Sequence, residues 1–317
     1  MSSFTPTRGD TMRAVAINEF GMRPTVVELP VPEPGPGEVV VRVRASSVNG
    51  FDVAVAAGAY KAQLAHQFPV VLGKDFAGTV EAVGEGASRF HVGEVVFGVV
   101  MKDGLGDGSF AQFVCVAEHP ATALVPDGLD LESAGALGLA STTAVATVEV
   151  VALQAGEVVL ISGATGGVGA LAIQLATALG AHVIATAAPG PGSQFVRSLG
   201  AEHVVDHTGD LSAQVRALAP SGVAAVLHFA GDGTQLYNLL APDGRLASTL
   251  GVGSDQHPAA NAIITYPDAA TLEYLADEVL AGRLRVPIDH NYQLAEVPEA
   301  LSDFASGTLG KLAVTVD

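Results

Sequence analysis

The sequence predicts a two-part α/β fold, a β-rich first segment followed by a doubly wound parallel sheet. Two observations predict it. Short apolar runs of strand length recur up to about residue 133, parted by Gly- and Pro-rich turns. Beyond them, residues 158–186 read VVLISGATGGVGALAIQLATALGAHVIAT, which is strand, glycine turn, helix, strand. A chain of 317 residues also has room for two domains of ordinary size.

Taken in order, the first strands are expected at 13–18 and 25–29. PVPEPGPGE at 30–38 is a stiff turn, and 39–45 alternates apolar and basic residues as a half-exposed strand does. Further strands are expected at 76–83 and 94–100. Residues 131–151 turn Ala-rich and helical in pattern. The apolar run 158–162 is too short for a helix and reads as a strand. A small-residue helix follows from 170 to about 179, stops at Gly180, and gives way to a strand at 182–186. Residues 268–284 carry a helical pattern with a structural role.

Glycines at Gly163, Gly166, Gly167 and Gly169 let the chain turn sharply and come close to a pyrophosphate, with a helix N-terminus aimed at its charge. The spacing departs from the strict G-x-G-x-x-G, so the flanking strands and helix give the reading its specificity. No charged residue occurs from 158 to 196, long enough on paper to span a bilayer. The glycine cluster and PGPG at 189–192 break that run, and elements buried in a parallel sheet look equally apolar. A membrane span is therefore not expected.

The net charge of −18 argues against nucleic-acid partners and against docking on anionic lipid. The only cysteine, Cys115, excludes an intramolecular disulfide and a cysteine-based zinc cluster. It is expected to be a small buried residue. MSSFTPTRGDTMR at the N-terminus lacks the apolar core of a signal peptide, so a cytoplasmic protein is expected.

The order of these pieces resembles the medium-chain dehydrogenase/reductase superfamily, and within it the zinc-independent quinone oxidoreductase (zeta-crystallin-like) branch. The residues that carry the resemblance begin with SSVNGFDVAVAAGAY (46–60), FPVVLGKDFAGTVEAVGEG (68–86), HVGEVVFG (91–98) and GSFAQFV (108–114). LASTTA (139–144), GATGGVGALAIQLA (163–176), SLGAEHVVD (198–206), APDGRL (241–246) and GTLGKLAV (307–314) extend it over nearly the whole chain. The resemblance implies a GroES-like catalytic domain over 1–133, completed by 268–317. It also implies a Rossmann cofactor-binding domain over 134–267 and a homodimer formed through that domain.

No metal is expected. Where zinc-dependent relatives place a cysteine ligand this chain has Asn49, and where they place the histidine of G-H-E it has Lys74. The four-cysteine structural lobe is missing. Without a Lewis acid, hydride transfer favours an acceptor that spreads its charge, a quinone or an alkene conjugated to a carbonyl.

The resemblance then nominates residues. Asn49 and Asp52 stand in an N-x-x-D segment, with Asn49 a candidate to hydrogen-bond either cofactor or substrate carbonyl. Tyr60 falls where similar enoyl-thioester reductases carry a tyrosine proposed as proton donor; the alternative is a packing tyrosine. Lys74 is open between a cleft residue and a solvated one. Val55, Ala56 and Ala57 replace a frequent arginine, and Val145 a frequent aromatic, which makes the pocket more apolar. Thr143 matches a threonine beside the nicotinamide. Gly163, Ala164, Thr165, Gly166, Gly167, Val168 and Gly169 form the pyrophosphate turn. Phe229, Ala230 and Gly231, with Leu250 and Gly251, are backbone contacts. Lys311 matches a Gly-Lys near the cofactor, the alternative being a surface lysine.

Thr186-Ala187-Ala188-Pro189 ends the second strand without the carboxylate that grips an NAD ribose, so NADPH is favoured and NADH is the alternative. Ser193, Gln194 and Arg197 are the local candidates for the 2′-phosphate, the alternative for Arg197 being a solvent-facing residue on the next helix. The expected function is an NADPH-dependent reductase of a small quinone or enone. The alternatives are an enoyl-thioester or biosynthetic tailoring reductase, and a low-turnover NADPH-binding sensor or structural protein.

Overall fold

The computed structural model describes residues 10–317; the reading of residues 1–9 lies outside them. The chain forms two compact units, Met1–Leu139 with Pro267–Asp317, and Ala140–Tyr266.

In the first unit the main sheet runs Thr122–Leu124, Val95–Val99, Asp75–Val83, Glu38–Ser47, Lys311–Thr315, Ile288–Gln293, with Phe113–Ala117 also on Glu38–Ser47. Pairing is antiparallel except between the last two strands. The hairpin of Thr11–Ile17 and Thr25–Pro30 forms a smaller sheet with Val70–Val71. Glu38–Ser47 is the central strand, and here the expectation of a half-exposed strand is corrected. Val39, Val40, Val41 and Val43 are all buried, because three strands surround the segment. Arg42, which made the pattern look amphipathic, instead pairs with Glu81 at 2.6 Å and lies 4.8 Å over the Phe113 ring. The C-terminal Lys311–Thr315 completes this sheet, so the last residues of the chain lie beside Ser46 and Ser47.

The second unit is a six-stranded parallel sheet in the order His203–Val205, His182–Thr186, Val158–Ser162, Val223–His228, Leu240–Ser248, Ala260–Ala262. Every strand-to-strand pairing is parallel. The order steps outward in both directions from Val158–Ser162, the doubly wound arrangement whose ligands bind at the carboxyl ends of the strands. Val159, Leu160 and Ile161 have no exposed surface, which accounts for the missing charges. The helix after the turn spans Gly167–Ala178, three residues earlier than its small-residue pattern suggested. Among the described residues no helix is long and apolar enough to cross a membrane.

Candidate functional site

Within the first unit, one buried polar network gathers residues from four elements. Asp75 begins its strand with no exposed surface. Its Oδ2 accepts from Ser47 Oγ at 2.6 Å, Asn49 Nδ2 at 2.8 Å and Lys311 Nζ at 3.3 Å. Its Oδ1 accepts from the backbone N–H of Leu139 at 2.6 Å, inside the helix Leu131–Val150. That contact requires Gly138, where a Cβ would stand 2.4 Å from Oδ1. Lys311 donates to Asn49 Oδ1 at 2.7 Å and to the Val48 carbonyl at 3.0 Å as well.

Lys311 is thus neither a surface lysine nor free to reach outward: it is 2% exposed and its three protons have three acceptors. Asn49 is likewise turned inward. Its Oδ1 holds Lys311, and its Nδ2 holds Asp75 and the Ser47 carbonyl. The donor capacity that made Asn49 a candidate for cofactor or substrate is spent inside the protein. Asp52 accepts from the Asn49 backbone N–H at 2.8 Å, closing the start of the helix Gly50–Ala56. Burial pushes its carboxyl up to about 7, against the pull of the Asn49 N–H and with the Asp75 charge adding to the rise.

Tyr60 stacks on Phe51, with ring centroids 4.9 Å apart. Lys74 lies 4.9 Å over the same Phe51 ring and donates to the Val100 carbonyl at 2.7 Å. Burial lowers the Lys74 ammonium from its ordinary value, with Asp52 and Asp75 opposing. A cavity of ≈10 Å³, room for about one water, is lined by Phe51, Asp52 and Lys74 together with Gly104–Leu105. A larger one of ≈300 Å³, between Met12, Leu29, Phe68 and Cys115, touches none of the candidate residues. Cys115 is buried as expected, its thiol pushed up to about 12 by burial.

In the second unit the glycine turn has the features of a phosphate cradle. Gly163 takes φ +68 and its N–H donates to Thr186 Oγ1 at 3.1 Å. At Gly169 a Cβ would stand 2.3 Å from the Gly163 carbonyl oxygen, so only glycine lets helix and turn close on each other. The helix begins at Gly166 with no capping side chain and no acid in its first turn. Among the described residues, four other helices start on aspartates whose side chains accept from the first-turn backbone, Asp130, Asp210, Asp232 and Asp268. The start of the Gly167–Ala178 helix thus lacks a side-chain acceptor, as does that of Pro191–Ser198. Ala164 is buried, while Thr165, Gly167 and Val168 are half-exposed.

Phe229 and Ala230 lie against Gly163, and the Ala230 carbonyl accepts from Ser162 Oγ at 2.8 Å. Gly192 lies beside Thr165 and Ala187, which brings the start of the Pro191–Ser198 helix to the glycine turn. Ser193 donates to the Ala188 carbonyl at 3.0 Å, whereas Arg197 is exposed and donates to the Glu202 carbonyl at 3.1 Å. Thr143 accepts from Thr265 Oγ1 at 2.9 Å. Gly231, Leu250 and Gly251 are exposed at the strand ends. The donor set and shape of this unit fit a dinucleotide.

Sequence reasoning passed over Asp75, Ser47 and His228. For Asp75 the signal was its place directly after Gly73-Lys74; for His228 it was a histidine ending an otherwise apolar strand.

Residues 35–127 match the family model for the alcohol dehydrogenase GroES-like domain, and residues 167–270 that for a zinc-binding dehydrogenase. The donors around Asp75 do not fit such a metal. Among the described residues no three His, Cys, Asp or Glu side chains come together as ligands, and Asp75 is already paired with an ammonium. The chain is 30% identical to a chloroplast envelope quinone oxidoreductase homolog of Arabidopsis thaliana, over 96% of this chain and 99% of that one. It is 35% identical to a mycocerosic acid synthase-like polyketide synthase of Mycobacterium tuberculosis, over 89% of this chain but only 14% of that protein. Among solved structures, the quinone oxidoreductase from Coxiella burnetii superposes with a TM-score of 0.87 at 29% identity, covering 97% of this chain and 100% of the other. The chain belongs to the medium-chain dehydrogenase/reductase superfamily, in its quinone oxidoreductase-like branch, an oxidoreductase of a family that binds nicotinamide cofactors.

Proposed function

We propose that the protein is an NADPH-dependent reductase of quinones or α,β-unsaturated carbonyls that works without zinc. The observation that carries the reading is the N-terminus of the Gly167–Ala178 helix, which has no capping side chain and no acid in its first turn, in a unit whose second strand ends at Thr186 and runs on through Ala187 and Ala188 without a carboxylate. An acid there would grip ribose hydroxyls and repel a 2′-phosphate; its absence favours NADPH over NADH.

In this reading residues 134–267 bind the cofactor and residues 1–133 with 268–317 bind the acceptor. The turn Gly163 to Gly169 holds the pyrophosphate, Ser193 meets the 2′-phosphate side, and Thr143 with the backbone at Phe229–Gly231 and Leu250–Gly251 holds the nicotinamide side. Bound NADPH supplies the hydride. The chain supplies orientation, an apolar surround at Val55, Ala56 and Ala57 that excludes water, and a proton from Tyr60 Oη to the reduced acceptor. Lys311 supplies the cation of the buried Asp75 network, and Asn49 and Asp52 serve as positioning residues.

Purified protein mixed with NADPH and a simple quinone or enone should oxidise the cofactor, faster than with NADH. Tyr60→Phe should lower kcat at least ten-fold with a smaller change in KM. Loss-free activity in that variant would return Tyr60 to packing on Phe51. The similarity to a polyketide synthase over 89% of the chain favours a second reading, an enoyl-thioester reductase. Activity that rises when the enone carries a pantetheine arm would select it. Binding of NADPH with no acceptor turned over would select a sensor or structural protein.

A further inference from the structure

His228 ends the strand Val223–His228 and stands in register between Ser162 and Ser248 on the two neighbouring parallel strands. Its ring is 1% exposed and bonded at both nitrogens. Nδ1 lies 2.9 Å from Ser248 Oγ, and Nε2 lies 3.1 Å from the Gly231 carbonyl. The hydrogen-bond count fixes the protons. Ser248 Oγ already accepts from the backbone N–H of Leu250 at 3.0 Å and of Val252 at 3.3 Å. Its single proton is left for Nδ1, so Nδ1 accepts, and the ring proton sits on Nε2 and goes to Gly231. One neutral tautomer satisfies every partner.

The imidazole therefore ties two loops at the carboxyl ends of adjacent strands, residues 229–233 and 249–252. We propose that His228 is a positioning residue for the cofactor, a neutral latch that holds these two loops in the arrangement that offers their backbone to the dinucleotide. The inference rests on the cofactor reading above. A proton added at Nδ1 makes a third donor toward Ser248 Oγ, whose two lone pairs already serve the Leu250 and Val252 N–H groups; the Ser248 side chain swings away from the ring, those N–H groups lose their common acceptor, and the latch opens. Burial already holds the imidazole below its ordinary value, which keeps it neutral at neutral pH. Among the described residues the charged group that acts on it is Asp232 on the following turn, which opposes that shift; His257, the other titratable group near that turn, stacks on Tyr237 and lies 3.2 Å from Thr234 Oγ1.

The test is the Kd for NADPH, read by nicotinamide fluorescence from about pH 8 down to about pH 5. Wild-type protein should bind more weakly as pH falls. His228→Leu should weaken binding at least ten-fold at pH 8 while keeping a cooperative melt. His228→Asn, which keeps an acceptor for Ser248 and cannot titrate, should bind better than the leucine variant and lose the low-pH weakening. Variants that bind like wild type with the same pH profile would overturn the latch alone. Failure of wild type to bind NADPH or NADH at any pH would overturn the cofactor reading and the latch with it. Should His228→Leu not fold, nitrogen NMR of wild-type protein decides: an Nε2–H tautomer whose titration shifts when NADPH is added supports the latch. An Nδ1–H tautomer, or a titration indifferent to NADPH, overturns it.

Discussion

Lys311 and Asp75 meet at 3.3 Å with 2% and 0% of their side chains exposed, so neither charge can be relieved by water if the other is removed. Lys311→Met and Asp75→Asn should each cost about 3–5 kcal/mol, the range for breaking a buried pair from one side. The double variant should cost clearly less than the sum, because it leaves no uncompensated charge; chemical denaturation of all three checks this. Asp52 makes a separate prediction. Its folded value of about 7 lies above the ordinary 3.8, so its proton binds more tightly in the folded state. That contribution is full below pH 3.8 and is lost as pH rises through about 7. Against Asp52→Asn, wild type should lose relative stability across that window and run parallel to it above.

At the scale of the element, the glycine turn separates folding from binding. Gly169→Ala places a methyl 2.3 Å from a backbone oxygen and should both destabilise the protein and abolish cofactor binding. At Gly166 the nearest atom to an added Cβ is 3.6 Å away and φ is −74, so alanine fits the fold. Gly166→Ala should melt within about 1 kcal/mol of wild type and yet bind NADPH more weakly, the result expected from the proposed pyrophosphate-binding role of the turn. Elements of this kind are legible in the sequence. The strands Val158–Ser162 and His182–Thr186 and the helix between them follow from local glycine placement and apolar run length. The Lys311 network was not legible, because Ser47, Asp75 and Lys311 are brought together by long-range strand pairing that no local pattern encodes. Arg42 misled for the same reason: its partner Glu81 is on another strand, and alternation alone read it as solvent-facing.

At the scale of the whole molecule, the six-stranded sheet ends on Ala260–Ala262, which pairs on one side only among the described residues. Ile264 and Tyr266, just beyond it, are 75% and 76% exposed. An open edge beside two such side chains suits pairing with a second copy, and light scattering should give the mass of two chains, with Ile264→Lys shifting it toward one. With a net charge of −18, the mass read by light scattering is expected to move further toward two chains as salt rises. With a lysine ammonium in the buried carboxylate network, the proposed turnover needs no metal. Its most direct test is NADPH oxidation by a quinone or enone after exhaustive chelation, with zinc content measured on the same sample. Full activity in zinc-free protein is the predicted result. Activity that vanishes on chelation and returns with added zinc would contradict the account.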